Sequence, residues 1–318
     1  MRKVYDVTAL GEILIDFTPC GTSDARQRLF EQNPGGAPAN VLTALSRFGR
    51  KTAFIGKVGK DMHGSFLKEV LAENGISTEG VVESEDAFTT LAFVALSDTG
   101  ERSFSFARKP GADTCLTENE VKKELISECR IFHIGSLSLT AEPVRTTTFK
   151  ALEMAKESGC MISYDPNYRA PLWNSKEDAI REMRSVLPYV DVMKLSDEET
   201  ELLTDSSDAE GAAKKLLEYG IALVVVTLGA KGAWIATKEG GAYVPAYSAD
   251  VVDTTGAGDA FWGGFLHKLL ESEKAADVIT LEEAKEFTKF GNAVASLCVE
   301  KRGAIPAMPT LAEVEERV

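Results

Sequence analysis

Cysteine is scarce in this sequence, and long hydrophobic runs are absent. The five cysteines are scattered, odd in number and without a C-x-x-C pair, which predicts reduced, mostly packing thiols in the cytoplasm rather than disulfides or zinc ligands. No apolar segment approaches the roughly 20 residues that cross a bilayer, so we expect no membrane association. The apolar N-terminus is interrupted by Asp6, Glu12 and Asp16 and lacks a small-residue cleavage site, so it predicts a strand rather than a signal peptide.

Basic charge is also in short supply. The 35 Lys and Arg residues face 49 Asp and Glu, and the formal net charge is -14, which argues against nucleic acid as a partner. The chain has no Walker G-x-x-x-x-G-K-S/T sequence and no HRD or DFG motif, so other groups must bind any phosphate. With 318 residues and 44% hydrophobic content, the chain suffices for one large α/β domain or two smaller ones.

One stretch, VVDTTGAGDAFWGGFL at Val251–Leu266, combines glycine, a carboxylate and an apolar run. The small residues from Gly256 to Gly258 would expose consecutive backbone N–H groups at the start of a helix predicted over Ala260–Leu270, which makes an anion cradle. Asp259 would repel an anion bound there, so its presence needs an explanation. It would serve as a base that accepts a hydroxyl proton during phosphoryl transfer; the alternative is a carboxylate that merely favours a helix N-terminus.

This run resembles D-T-x-G-A-G-D, the C-terminal signature of the ribokinase-like (PfkB) carbohydrate kinases. A second stretch, NPGGAPAN at 33–40, resembles the sugar-binding motif of the same family, especially of its fructokinase branch. Gly35 and Gly36 permit close backbone approach to a ligand, and the amide of Asn40 can both donate to and accept from vicinal hydroxyls. Asp16 is predicted at the end of an opening strand over Val4–Ile15, where open parallel sheets bind ligands; the alternative is an Asp in a turn.

Alternation of strands and helices gives the fold prediction. From Ile131 onward, strands that are apolar on both faces alternate with helices, which predicts a parallel sheet covered on each side. Residues from about 82 to 106 instead form short alternating β runs with a hairpin at 97–101, which indicates a small separate sheet. Together with the resemblance, this predicts one α/β domain over 1–318: a ribokinase-like, doubly wound, mainly parallel sheet with helices on both faces, and a small β-sheet lid formed discontinuously by about 12–34 and 82–110. A second copy could cover the lid edge, as a homodimer.

The resemblance also implies roles for residues in the middle of the chain. Arg108, in RSFSFARKPGAD, matches a fructokinase stretch and would contact sugar or phosphate; the alternative is a surface arginine. DPNYR resembles the family's D-x-N-x-R, which would bring Asp165, Asn167 and Arg169 to the cleft, the last two as substrate ligands. Ser196-Asp-Glu-Glu resembles N-x-x-E, with serine in place of asparagine as in the K-x-S-x-E-E form of the sugar kinase branches.

The remaining implied assignments concern nucleotide and cations. Without the resemblance, the same positions are a helix N-cap, a strand turn and a core helix. The implied catalytic group is Gly256, Ala257, Gly258 and Asp259; the implied nucleotide ligands are Lys194, Ser196, Glu199, Thr227, Gly229, Gly232, Asn292 and Ser296; Glu199 would also organise Mg²⁺ through water, and Asp253 and Thr255 would lie near a monovalent cation such as K⁺.

These observations predict a sugar kinase that uses ATP and Mg²⁺. The favoured acceptor is D-fructose, phosphorylated at a primary hydroxyl to fructose 6-phosphate, so that the expected partners are a small sugar and ATP. Two alternatives stay open: 2-keto-3-deoxygluconate or a riboside as acceptor, and a non-catalytic fructokinase-like binding or scaffold protein. The intact Asp259, Gly256 and Gly258 argue against the last.

Overall fold

The apolar segments of the sequence build two β-sheets. The computed structural model describes residues 3–96 and 102–318, which form a nine-stranded sheet and a four-stranded sheet. The strands are β1 Tyr5–Leu10, β2 Leu14–Thr22, β3 Arg28–Gly35, β4 Thr52–Gly59, β5 Ile76–Ser84, β6 Leu91–Leu96, β7 Arg102–Ala107, β8 Cys129–Ile134, β9 Met161–Tyr164, β10 Val192–Ser196, β11 Leu223–Thr227, β12 Gly232–Thr237 and β13 Gly240–Pro245. The helices are α1 Ala37–Arg47, α2 Met62–Glu73, α3 Lys123–Ser127, α4 Val144–Glu157, α5 Lys176–Ser185, α6 Thr200–Thr204, α7 Ala209–Glu218, α8 Ala257–Glu271, α9 Leu281–Cys298 and α10 Leu311–Arg317.

The large sheet is doubly wound about the neighbouring strands β1 and β8. Its order is β13-β12-β11-β10-β9-β8-β1-β4-β5, and the strands from β5 to β11 pair in parallel. The chain winds outward in both directions from the neighbours β1 and β8, so their carboxyl ends border a topological switch point, the usual place for a ligand in such sheets. The predicted fold class is confirmed.

Helices cover both faces of the large sheet because its strands are apolar on both sides. On one face, Phe132 and Tyr164 pack in a core with residues of α4, α5 and α7. On the other, Phe54 and Trp262 pack with residues of α1, α2, α8 and α9. None of the described helices combines the length and apolarity needed to cross a membrane.

The small sheet has the order β3-β2-β6-β7. Its strands occupy 14–35 and 91–107, while β5 belongs to the large sheet. On its surface Phe17 stacks on Phe93 with ring centroids 5.2 Å apart. The hairpin predicted at 97–101 lies outside the described residues.

The prediction of the first strand was wrong, and two strands were missed. The opening strand over Val4–Ile15 is two strands, because the chain leaves the large sheet after Leu10 and enters the small sheet at Leu14. Asp16 therefore belongs to the lid rather than to the end of the first core strand. The strands β12 and β13, which add to β11 in antiparallel fashion, were not predicted.

Candidate active site

The predicted base, Asp259, lies in the first turn of α8 and is buried. The helix begins three residues earlier than predicted, after Gly256, whose φ of +78° is in the left-handed region. Each carboxylate oxygen of Asp259 accepts one amide hydrogen bond: Oδ2 from Asn40 Nδ2 at 2.8 Å and Oδ1 from Asn167 Nδ2 at 2.9 Å. These bonds fix the carboxylate and leave each oxygen a further lone pair.

Burial raises the pKa of Asp259 to about 6, helped by the nearby charge of Asp165 and opposed by Lys194 and by the hydrogen bond from Asn40. A carboxylate with this pKa is mostly ionised at neutral pH, yet it is a stronger base than an exposed aspartate. The environment of Asp259 therefore suits a group that accepts a proton.

A buried ion pair lies beside the start of α8. Lys194 Nζ donates to Asp165 Oδ2 at 2.7 Å, and both side chains are buried. Burial alone would lower the pKa of Lys194, but Asp165, Glu199 and Asp259 outweigh it and the pKa is raised. A Cβ added at Gly258 would lie 2.9 Å from Lys194 Nζ, so the absence of a side chain there lets the ammonium group approach the helix N-terminus. Lys194, in its ion pair with Asp165, thus places an ammonium group beside the first turn of α8.

A small cavity of about 100 Å³ opens in front of Asp259. The predicted residues Asp16, Gly36, Asn40, Asn167 and Arg169 all line it. Burial raises the pKa of Asp16 to about 6, partly offset by Arg169. The structure thus brings hydrogen-bond donors and acceptors together around one small cavity, where they could bind the hydroxyl groups of a sugar.

The two glycines of the GGAPAN stretch allow the close packing behind this cavity. Gly36 has a φ of +123°, and a Cβ there would lie 2.5 Å from the carbonyl oxygen of Glu12. Gly35 does not line the cavity, but a Cβ on it would lie 2.7 Å from Asp16 Oδ2. A side chain at either position would therefore collide with groups that form the cavity wall.

Glu12 also lines the cavity and was not predicted as a site residue. Its Oε1 accepts the N–H of Ala37 at the start of α1 at 2.9 Å, and its buried Oε2 has no hydrogen-bond partner among the described residues. Burial raises its pKa to about 7. The available signal was a charged residue in an apolar run, since buried glutamates are rare unless paired or functional.

Arg108 is buried, which contradicts the alternative of a surface arginine, while its predicted contact with sugar or phosphate stays a prediction. Its side chain is 5% exposed, so it is not a surface arginine, and it is not among the residues that line the cavity. It donates to Asp113 Oδ2 at 2.8 Å, to Thr140 Oγ1 at 2.8 Å and to the carbonyl of Leu137 at 3.0 Å. Arg108 thereby ties the end of β7 to the segment after β8, where Leu137 forms part of the cavity wall.

A larger cavity of about 480 Å³ lies on the other side of the α8 N-terminus. Its wall is mainly apolar and includes Phe261, Val251 and Val299. The predicted residues that line it are Thr227, Gly229, Gly232, Asn292, Ser296, Ala257 and Gly258. Because Gly256 and Asp259 line the small cavity and Ala257 and Gly258 the large one, the first turn of α8 separates the two spaces.

The other predicted nucleotide residues lie outside this wall. Glu199 accepts from Ser196 N at 2.8 Å and Ser196 Oγ at 3.0 Å, and its second oxygen accepts from Tyr168 N at 2.6 Å. Glu199 thus joins the DPNYR segment to the turn after β10. Glu199 contacts both Ser196 and the DPNYR segment, while Lys194 lies beside Gly258.

The predicted cation residues are close to each other. Asp253 Oδ1 accepts from the N–H and the hydroxyl of Thr255, at 2.9 and 2.7 Å, and Oδ2 accepts from Gly303 N at 3.1 Å. Both side chains line a cavity of about 40 Å³ beside the small cavity. Within 3–96 and 102–318, no three His, Cys, Asp or Glu side chains cluster in a way that could hold a metal ion.

Comparison with known proteins identifies the family. The model of the pfkB family carbohydrate kinases matches residues 5–311. The chain belongs to this family. A relative named probable fructokinase-5 from Arabidopsis thaliana is 43% identical over 98% of this chain and 96% of its own length, and fructokinase-1 from Zea mays is 44% identical over 97% and 96%.

Solved structures of pfkB relatives have the same fold. A fructokinase from Xylella fastidiosa with bound ATP has a TM-score of 0.91 and 36% identity, covering 99% of this chain and 98% of its own. A fructokinase from Vibrio cholerae O395, in a form with fructose, ADP and calcium ion bound, has a TM-score of 0.88 and 32% identity, covering 98% and 97%.

Proposed function

We propose that this kinase transfers the γ-phosphoryl group of ATP to a primary hydroxyl of D-fructose and so forms fructose 6-phosphate. The observation that carries the proposal is the position of Asp259, which stands in the first turn of α8 between a small cavity lined by several polar side chains and a larger, mainly apolar one. The full-length similarity to plant fructokinases and to a fructokinase described with fructose and ADP favours fructose over the alternative acceptors.

Asp259 accepts the proton of the attacking hydroxyl. Its pKa of about 6 keeps it ionised at neutral pH, and Asn40 and Asn167 hold its orientation. The amides from Gly256 to Gly258 stabilise the charge on the transferring phosphoryl group, and the Lys194 ammonium adds to the same field. Because the transition state is loose, positioning of the two substrates supplies most of the acceleration.

The small cavity binds the sugar and the large cavity binds the nucleotide. In the small one, Asp16, Asn40 and Arg169 bind sugar hydroxyls; the buried Oδ1 of Asn40, which has no partner among the described groups, is one acceptor aimed at such a ligand. In the large one, the apolar wall takes adenosine. Mg²⁺ would neutralise charge on the nucleotide phosphates, which themselves supply most of its ligands in kinases of this kind. We also propose that Glu199 holds Mg²⁺ through a water molecule and that K⁺ binds near Asp253 and Thr255.

The proposal extends to assembly and compartment. The small sheet exposes Leu29, Phe30 and Phe93, which are 44%, 42% and 39% accessible, and a second copy that covers this surface would make a homodimer. Sedimentation measurements would distinguish dimer from monomer. The sequence favours the cytoplasm because its cysteines form no recognisable disulfide framework.

The test is an ADP-release assay with Mg²⁺ and ATP across fructose, glucose, ribose, 2-keto-3-deoxygluconate and nucleosides. We expect a strong preference for fructose. Asp259→Asn should still bind fructose but lose turnover by roughly a hundredfold or more, because the base is removed. The matched control is Asp277→Asn, since Asp277 is exposed and lies at the opposite end of the sheet.

Each other outcome has a defined meaning. Near-normal turnover by Asp259→Asn would refute the assignment of the base. Preference for 2-keto-3-deoxygluconate or a riboside would replace the acceptor but keep the mechanism. Folded wild-type protein that turns over none of these acceptors would favour the non-catalytic alternative.

A further inference from the structure

Two cysteines meet at the end of the large sheet opposite the active site. Cys129 begins β8 and Cys160 precedes β9, and their Sγ atoms are 3.9 Å apart. The parallel register that pairs Ile131 with Met161 puts Cys160 beside Arg130, one position from Cys129. With a strand spacing of about 4.8 Å and a rise of about 3.3 Å per residue, the two Cα atoms are about 6 Å apart. This separation lies within the range of natural disulfides.

A lysine contacts one of the two thiols. Lys3 Nζ donates to Cys160 Sγ at 3.3 Å and to the carbonyls of Ser127 and Ser158, both at 3.1 Å. The hydrogen bond from Cys129, together with Lys3, outweighs burial and lowers the pKa of Cys160 to about 6, while the pKa of Cys129 is raised well above its usual value. Cys160 is therefore the thiol of the pair that ionises more readily, and Cys129 is its protonated neighbour.

Cys160 lies at the edge of the core: it is 6% exposed, whereas Cys129 is fully buried. Cys160 lines a cavity of about 540 Å³ whose other walls include Lys156, Tyr189, Asp191 and Lys274. All five cysteines of the chain are free, but Cys160 combines a neighbouring thiol, a neighbouring ammonium group and a place in the wall of this cavity.

We propose that Cys160 is a site of reversible oxidation by peroxide and that Cys129 resolves the oxidised sulfur as a disulfide. The Cys160 thiolate attacks one oxygen of hydrogen peroxide; the O–O bond breaks, a sulfenic acid forms and hydroxide leaves, taking a proton to become water. Cys129 loses its proton and attacks the sulfenic sulfur; the S–S bond forms, the S–O bond breaks and a second water leaves. Two thiols and one peroxide thus give one disulfide and two waters, and a dithiol reductant reverses the change.

The proposal is independent of the proposed function, because the pair lies at the amino ends of β8 and β9 and Asp259 at the other end of the sheet. The disulfide joins two strands that are already adjacent in the register. We therefore expect turnover to change by less than about twofold on oxidation, while the cross-link appears quantitatively.

The test treats the folded full-length protein with hydrogen peroxide at pH 7 and maps peptides without reduction. We expect a peptide that links Cys129 to Cys160, reversed by dithiothreitol. Cys129→Ser should instead accumulate a sulfenic acid at Cys160 that dimedone traps. Lys3→Met should slow cross-linking by roughly tenfold, because the thiolate loses its cation.

Cys20→Ser is the matched control, since Cys20 is exposed and its removal should leave the cross-link unchanged. Thermal unfolding followed by circular dichroism checks that each variant is folded. The proposal is overturned if the wild type forms no Cys129–Cys160 peptide under conditions that oxidise Cys20, or if dimedone labels Cys20 but not Cys160 in Cys129→Ser.

Discussion

The raised pKa of Asp259 makes the rate of phosphoryl transfer sensitive to pH. Only the ionised carboxylate can accept the hydroxyl proton, so kcat/KM for the sugar should fall as pH drops through the pKa of about 6. About nine tenths of the sites are ionised at pH 7 and about one tenth at pH 5, which corresponds to about a tenfold loss. An ordinary aspartate, with a pKa of 3.8, would show almost no loss over that interval.

Asp165→Asn tests the cause of this shift. Asp165 raises the pKa of Asp259, and its charge also holds the ammonium of Lys194. Removing that charge leaves Lys194 to favour the ionised form of Asp259, so the acid limb should move down by about one pH unit, or about 1.4 kcal/mol. At pH 5 the variant should keep about half of its own pH 7 rate, whereas the wild type keeps about a tenth.

The assay is ADP release from pH 5 to 8 at saturating ATP and Mg²⁺, with each profile normalised to its plateau. The nucleotide titrates identically with both enzymes, and so do Glu12 and Asp16, whose pKa values are also raised in this range. The displacement between the profiles therefore belongs to Asp259. Asp191→Asn, at the far end of the same strand as Lys194, should leave the profile in place. Superimposable profiles for Asp165→Asn and wild type would refute the reasoning.

Three further predictions follow from the structure. Folding raises the pKa of Asp259 from 3.8 to about 6, so the folded protein loses stability as pH rises through this interval and the buried carboxyl ionises. Asp259→Asn has no such ionisation. It should therefore be more stable than wild type by about 1–3 kcal/mol at pH 7.5 but not at pH 3.5, as measured by urea unfolding. Gly256→Ala and Gly49→Ala both place alanine at a φ of +78°, but only at Gly256 would the Cβ meet a neighbouring atom, at 2.7 Å. Gly49→Ala should lose about 1 kcal/mol of stability, and Gly256→Ala should lose more because of the clash with Ala304. Only Gly256→Ala should lower kcat, by roughly tenfold or more; equal kcat values would contradict the role of the cradle. Glu12→Ala leaves the N–H of Ala37 without its acceptor and should raise KM for fructose roughly tenfold at nearly constant kcat, with Glu12→Gln closer to wild type; an unchanged KM in steady-state kinetics would count against it.

Local patterns predicted the alternation of strands and helices from Ile131 onward because these elements have their own signals in the chain. Strand and helix units from Ile131 onward carry continuous apolar runs and 3.6-residue periodicity, and these depend on burial alone. The break between β1 and β2 has no such signal. A run such as Val4–Ile15 is equally apolar whether it forms one strand or two, and the break follows from Gly11 packing against Pro38, where an added Cβ would lie 2.6 Å from Cγ.

The sites divide in the same way. The GAGD stretch predicted a carboxylate at a helix N-terminus because glycine, carboxylate and apolar run are contiguous, and Asp259 lies there; its role as the base stays a prediction. The surroundings of Glu12 and the burial of Arg108 were not predicted because each depends on partners brought near by the fold: Ala37 for Glu12, and Thr140 and Leu137, besides the nearby Asp113, for Arg108. The local sequence around an arginine does not show whether its side chain will be buried against three acceptors or exposed at the surface.

The base strength of Asp259 shows why such a property is set by the whole fold. A helix N-terminus by itself stabilises a carboxylate anion and would lower its pKa, so the local sequence predicts a weak base. The structure gives the opposite result because burial dominates and because β9 brings Asp165 close, while Lys194 from β10 and Asn40 from α1 only partly compensate. The contributing groups lie on separate elements that converge at the switch point of the sheet. The fold therefore places a carboxylate where anions bind and then raises its affinity for a proton, and this combination is what a kinase needs at the attacking hydroxyl.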